Sequence, residues 1–323
     1  MQRRHVLALA AGAALSFSAL AQAPWPVRPV RIVVPAPAGS SLDIIVRLLG
    51  DNLKDRWGQP VVVENKAGAG GMLGMDTVAK APPDGHTLGI GFNGPIAFAP
   101  FMYTRTPYDP AKDLVPVVMT TSQPNVLAVN ADVPAKTVKE FVDWVKAQGG
   151  NAKYASLGKG SSAHLTMELL LAEAGVTAVH VPYNGSPPTA LSVAQNETQA
   201  TFMVAPALLA HVQSGKVRLL AVSSAQRPAA LKDLPTLAEA GYPNVESLAW
   251  NGLFVPAGTP DALVAKINAD VNAALQDPAV RGSLDAQGLT PVGGSAAEFR
   301  RTVEADMKRW GAIITRIGLK IDQ

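Results

Sequence analysis

Apolar positions along this chain alternate between a strand period and a helix period. Val30–Val34 is a short β-branched run that Pro35–Gly39 stops. Ile44, Ile45, Leu48, Leu49 and Leu53 then recur at helical spacing before a second strand, Val61–Glu64. The same reasoning predicts strands at Thr87–Gly91, Val126–Asn130, Lys153–Ser156, Ala178–Val181, Gln199–Val204 and Val217–Val222. It predicts helices at Thr137–Gln148, Ser162–Ala174, Pro187–Asn196, Pro260–Gln276 and Ala296–Ile317. Strand and helix runs alternate from Val30 to Val222, which predicts an α/β protein with mainly parallel sheets. Two blocks, near 30–120 and 125–222, each open with strand–helix–strand and carry a turn of small residues. After Ser223 the pattern becomes mostly helical, with no third sheet core.

The small-residue turns hold the candidate chemistry. Gly39-Ser40-Ser41 sets backbone N–H groups and hydroxyls at the positive end of a helix, an arrangement suited to a carboxylate or phosphate. Ser40-Ser41-Leu42-Asp43 also reads as a capping box, in which Ser40 and Asp43 simply satisfy orphan N–H groups; the two roles are compatible. A cleft-facing Asp43 would instead pair with the ammonium of an amino acid. The matching turn of the second block runs from Ser156 to His164. There Gly158 and Gly160 permit unusual backbone angles, and Ser161 and Ser162 can cap the next helix and donate to an anion. Lys159 is the fixed cation of these loops, or else a solvated lysine. His164 either touches ligand or packs in the first helical turn. Tyr183, in His180–Ser186, either walls a small ligand or is a structural tyrosine. Asn93 lies just beyond the strand Thr87–Gly91, where ligands of open α/β sheets sit.

Several functions are excluded. Gly89–Gly94 matches GxGxxG, but Pro95 interrupts the helix a dinucleotide site needs, and Gly160 after Lys159 breaks the phosphate-loop pattern. The chain has no cysteine, no GxSxG elbow and no close histidine pair, so no metal, cofactor or catalytic centre is expected. Residues 1–23 read as a cleaved secretory signal, with Arg3-Arg4, an apolar core Val6–Leu15 and Ala21-Gln22-Ala23. Its removal takes two arginines and no acid from a net charge of +3, leaving +1. That balance argues against nucleic acid or a membrane surface as partner.

The segment 30–71, with ASLGKGSSAHLTMELL (155–170), HVPYNGSPPTAL (180–191) and WNGLFVPAGTP (250–260), resembles the substrate-binding receptors of tripartite tricarboxylate transporters, the Bug family. The resemblance runs over nearly the whole chain after residue 23. It implies a two-lobed Venus-flytrap fold with lobe one at 24–123 plus 225–323 and lobe two at 124–224. The hinge would lie near Ser122–Asn125 and Ser223–Gln226. It implies a periplasmic, monomeric, non-enzymatic receptor that passes a small carboxylate to membrane transporter subunits, or to a sensor kinase. Residues and resemblance together make Ala38, Gly39, Ser40, Ser41, Asp43, Asn93, Gly158, Gly160, Ser161, Ser162, His164 and Tyr183 the candidate ligand contacts. Pro37-Ala38-Gly39 stands where the family shows a double glycine. The rival reading is a secreted hydrolase using Ser161 or Ser162 with His164.

Overall fold

The computed structural model describes residues 25–320. The expected signal segment 1–23 lies outside them.

The first sheet begins with β1 (Val30–Val34), β2 (Val61–Asn65) and β3 (Thr87–Phe92), which run parallel with β1 in the middle. Its other strands are β4 (Leu114–Pro124), β10 (Leu248–Pro256) and β11 (Thr290–Gly293), giving the order β11-β4-β10-β3-β1-β2. The second sheet has β5 (Val126–Asn130), β6 (Lys153–Ser156), β7 (Val179–Pro182), β8 (Ala200–Met203) and β9 (Val217–Val222), in the order β7-β6-β8-β5-β9. Both sheets are mixed, which corrects the expectation of mainly parallel pairing. β10 runs antiparallel to β3 and β4, and β5 runs antiparallel to β8 and β9. β11 also runs antiparallel to β4, so the parallel pairs are confined to β2-β1-β3 and β7-β6-β8.

Helices form where the apolar period was helical. In Ser41–Trp57 the residues Leu42, Ile45, Val46, Leu49, Leu53 and Trp57 face the core, and Gly58 ends the helix in the left-handed region. Ser162–Ala174 and Ala296–Ile317 occupy the predicted spans. β10 was not predicted, although it is an inner strand of the first sheet. From Trp250 to Pro256 it is buried throughout, so it shows no alternation, and Asn251-Gly252 in its middle reads as a turn. β4 was missed because Pro116 argues against an inner strand; Pro116 sits beside a register shift opposite Phe254.

The two sheets are joined at a knot of short polar side chains. Asn125, the single residue between β4 and β5, donates its N–H to Ser223 Oγ at 2.9 Å, and Ser223 N–H returns to Asn125 O at 2.8 Å. Ser247 N–H reaches Ser223 O at 2.8 Å. The second crossing was expected at Ser223–Gln226. The chain instead stays with the second sheet after Ser223: Thr236 bridges to Val222, and Asn244 donates to Glu173 on Ser162–Ala174. It re-enters the first sheet only at Leu248.

Candidate functional site

Two turns, one from each sheet, are built on the same local plan. After β1, Gly39 adopts φ +78°, Ser40 is extended at φ −71° and ψ 162°, and the helix Ser41–Trp57 starts. After β6, Gly160 adopts φ +78°, Ser161 is extended at φ −74° and ψ 159°, and Ser162–Ala174 starts. Each serine caps its helix through its hydroxyl, which accepts from Asp43 N in one turn and His164 N in the other, both at 3.3 Å. In each turn the residue three beyond the cap also folds back to the glycine before it. Asp43 Oδ2 accepts from Gly39 N at 2.9 Å, and His164 Nδ1 accepts from Gly160 N at 3.1 Å. The first two helical N–H groups, at Ser41 and Leu42 and at Ser162 and Ala163, keep no intrahelical partner.

Both turns open onto one cavity of about 400 Å³ between the sheets, whose wall includes Ser40, Ser41, Leu42, Gly158, Ser161 and Ser162. Ser186, at the start of a third helix, Ser186–Ala194, also reaches it. Three helix N-termini therefore converge on one space, and their dipoles favour an anion. Among the described residues on the wall, Lys159 is the one ionisable side chain, and no aspartate or glutamate is present. Phe92, Trp250, Leu157 and Val204 supply apolar surface. The lobes touch at the rim, where a Cβ on Gly70 would stand 3.1 Å from Lys159 O and one on Gly94 3.1 Å from Gly160 O.

Ser40, Ser41, Asn93, Gly158, Ser161 and Ser162 thus lie on the wall as expected. Ala38, Gly39, Asp43, Gly160, His164 and Tyr183 do not. Ala38 and Gly39 are exposed, and Gly39 borders a separate pocket beside Ser41 and Ser186. Asp43 is buried behind it, with Oδ2 also taking Arg47 Nε at 2.9 Å and Oδ1 taking Asn65 Nδ2 at 3.0 Å. Burial opposes its charge, but these hydrogen bonds prevail and hold its carboxyl below the usual range. Both of its oxygens are engaged inside the protein, and it is absent from the cavity wall that a ligand ammonium would meet. Asp43→Asn is expected to lower unfolding stability by about 1 kcal/mol through the weakened bond from Gly39 N–H, with the ranking of ligands unchanged. A changed ranking in binding titrations would return Asp43 to the cleft. Tyr183 packs against the small core cluster of the second sheet and is absent from the cavity wall. Asn93 reaches the wall with its side chain already committed: Nδ2 donates to Asp306 Oδ2 at 2.6 Å and Oδ1 accepts from Trp250 N at 3.0 Å.

Behind the second turn, His164 stacks on His180 with ring centroids 3.9 Å apart, and Tyr154 stacks on His180 at 4.9 Å. Burial lowers the pKa of His164 to about 3 and of His180 to about 4, so both imidazoles are neutral near pH 7. His180 Nε2 lies 2.6 Å from Ser156 Oγ, and Ser156 is fully buried. Ser161 Oγ donates to Gly158 O at 2.8 Å and Ser162 Oγ points to Asn125 Oδ1 at 3.5 Å. Neither hydroxyl is hydrogen-bonded to His164's ring, so the serine–histidine pair of the hydrolase reading is not assembled. Residues that sequence reasoning did not single out are Gln123, Asn125, Ser186 and Trp250. The Gly68–Gly71 stretch of the wall is a glycine cluster in the sequence as well.

Two α/β lobes closing on a cleft fed by helix N-termini define the class of periplasmic solute-binding proteins. The model of the tripartite tricarboxylate transporter family receptor matches residues 45–319, and the chain belongs to that family. The BugT protein of Bordetella pertussis is 35% identical over 298 residues, covering 92% of this chain and 91% of its own. Among solved structures, an R. palustris protein with adipate is 34% identical with a TM-score of 0.87, over 93% of this chain and 100% of that one. MatC from Rhodopseudomonas palustris with bound malate is 32% identical with a TM-score of 0.84, over 90% of this chain and 100% of that one.

Proposed function

We propose that this protein is an exported periplasmic receptor that captures a small organic carboxylate and presents it to membrane subunits of a tripartite transporter. The observation that carries this reading is the pair of matched turns, one from each lobe, aiming free N–H groups and hydroxyls into one cavity without an acid on its wall. A carboxylate there exchanges its hydration shell for Ser41, Leu42, Ser162 and Ala163 N–H groups and the adjoining hydroxyls, with waters bridging where reach is short. The relatives with adipate and with malate support a carboxylate as the ligand class.

The lobes we assign are 25–124 with 247–320, and 125–246, hinged at the Asn125–Ser223–Ser247 knot. Rotation about that knot would part Gly70 and Gly94 from the Lys159–Gly160 carbonyls and open the cleft. The basic, apolar start of the sequence supports export with cleavage near residue 23.

Thermal unfolding of the ligand-stripped mature protein against a panel of small carboxylates tests the reading. A ligand at a hundred times its dissociation constant stabilises the native state by about 2.7 kcal/mol, so a chemical subset of acids should raise the midpoint. The absence of a shift with every acid, for a folded protein, would overturn it.

A further inference from the structure

Four side-chain amides on the cavity wall are almost fully buried: Asn93, Gln123, Asn125 and Asn251. Three are committed to the protein. Asn93 is held by Asp306 and Trp250, Asn125 Nδ2 donates to Ser247 Oγ at 3.3 Å, and Asn251 Nδ2 donates to Thr121 Oγ1 at 2.9 Å. Gln123 differs: it is 5% exposed, and its Oε1 is buried without any hydrogen-bond partner among the described residues. A buried acceptor left unpaired costs about 1–3 kcal/mol, a cost that a ligand donor can remove. Gln123 stands near the end of β4, at the hinge side of the cavity, and its terminal torsion is broad enough to turn the amide toward a bound molecule.

We propose that Gln123 is the specificity-determining residue of this cavity, selecting carboxylates that carry a hydroxyl beyond the docked carboxyl group. This rests on the carboxylate reading above. The hydroxyl donates to Gln123 Oε1 while the carboxylate sits on the helix-start turns. An amino group is a donor too, but as an ammonium it would enter a wall that, among the described residues, holds Lys159 and no acid, with Asp43 buried behind its turn. Burying that charge without a counter-charge disfavours it. A deoxy acid leaves Oε1 unpaired and gains nothing at this end. A site that pairs with a substrate hydroxyl discriminates against the analogue lacking it for this reason.

Calorimetric titration of the ligand-stripped mature protein with matched sets tests it: succinate, malate and aspartate, and butyrate, 4-hydroxybutyrate and 4-aminobutyrate. In at least one set the hydroxylated acid is expected to bind about tenfold more tightly than its deoxy parent, with the amino acid weakest. Gln123→Met should bring the hydroxy-to-deoxy ratio close to one while leaving the deoxy acid's affinity near wild type. Equal affinities of hydroxylated and deoxy acids in the wild type, or a ratio unmoved by Gln123→Met, would overturn the proposal and leave the carboxylate reading intact. Failure of every acid in both sets, after the broader panel has also given none, would remove both. The wild-type ratio is readable without the variant, so a misfolded Gln123→Met protein does not shelter the proposal.

Discussion

Ser161→Asp is expected to weaken carboxylate binding by about a hundredfold while leaving the fold in place. Aspartate is as good a helix cap as serine, so its carboxylate can accept from His164 N as the hydroxyl does at 3.3 Å. It also places a fixed negative charge on the wall of the cavity. Two like charges about 5 Å apart at an effective dielectric near 20 repel by roughly 3 kcal/mol, which is about two orders of magnitude in affinity. Part of any stability change comes from the lost donation of Ser161 Oγ to Gly158 O at 2.8 Å. Ser161→Asn separates the two effects. Its amide oxygen can cap His164 N while its amide nitrogen donates to Gly158 O, and it adds no charge. The asparagine variant should therefore bind, and the aspartate variant should not, at matched unfolding midpoints. Retained affinity in Ser161→Asp, measured by titration with the acid found in the carboxylate panel, would move the anion away from this turn.

Much of the second lobe was legible because its strands are short, apolar and bounded by turn residues; Lys153–Ser156 and Val217–Val222 fall where the pattern puts them. The C-terminal part of the first sheet was not. β10 is buried on both faces and interrupted by Asn251-Gly252, so neither alternation nor length marks it as a strand. Its place in the first sheet was foreshadowed by the family resemblance rather than by periodicity. The chain from 224 to 247 leaves no regular pattern, and it is fastened beside the second sheet by backbone bonds of Pro235 and Leu237 to Val222 and by Asn244 to Glu173, none of which spacing announces.

In the site, the small-residue turns were readable and the facing of individual side chains was not. Spacing places Asp43 and His164 three residues beyond their caps, and three-dimensional closure turns both back toward the preceding glycine N–H. The same device thus hides an acid in one lobe and a neutral imidazole in the other, and it removes both from the cavity. Asn93 was placed correctly beyond β3, yet its amide serves Asp306, a partner 213 residues away in sequence. Gln123 carried no motif, because an unpaired amide is defined by what its neighbours fail to offer.

The imidazole version of that device gives the protein an expected acid sensitivity of its own. His164 and His180 are neutral when folded down to about pH 3 and about pH 4, whereas an unfolded histidine takes its proton near 6.5. The unfolded state therefore binds more protons in the interval between. The contribution is complete above about pH 6.5 and is lost as pH falls toward the folded values, at about 1.4 kcal/mol per pH unit for each histidine. From pH 6.5 to 5 the pair should remove roughly 3 kcal/mol of stability, because the unfolded rings are only half protonated at the upper limit. The groups around the stack are Lys159, which further disfavours both imidazolium forms, and Tyr154 and Glu168 across the Tyr154 hydroxyl. Burial raises the Glu168 carboxyl, and that of Asp306 near Trp250, so these acids contribute stability at low pH that is lost as pH rises through their folded values. Their slope opposes that of the histidines and must be separated from it. His180→Asn does so, since it removes one titrating ring and keeps a polar partner for Ser156. Unfolding free energies from urea titration at constant ionic strength should fall less between pH 6.5 and 5 in this variant than in wild type, by about 2 kcal/mol. Parallel pH profiles for the two proteins would show that His180 is not held neutral. The loss also reaches the ligand site: a protonated His164 Nδ1 can no longer accept Gly160 N–H, so acid that charges this ring unfastens the turn that carries Ser161 and Ser162.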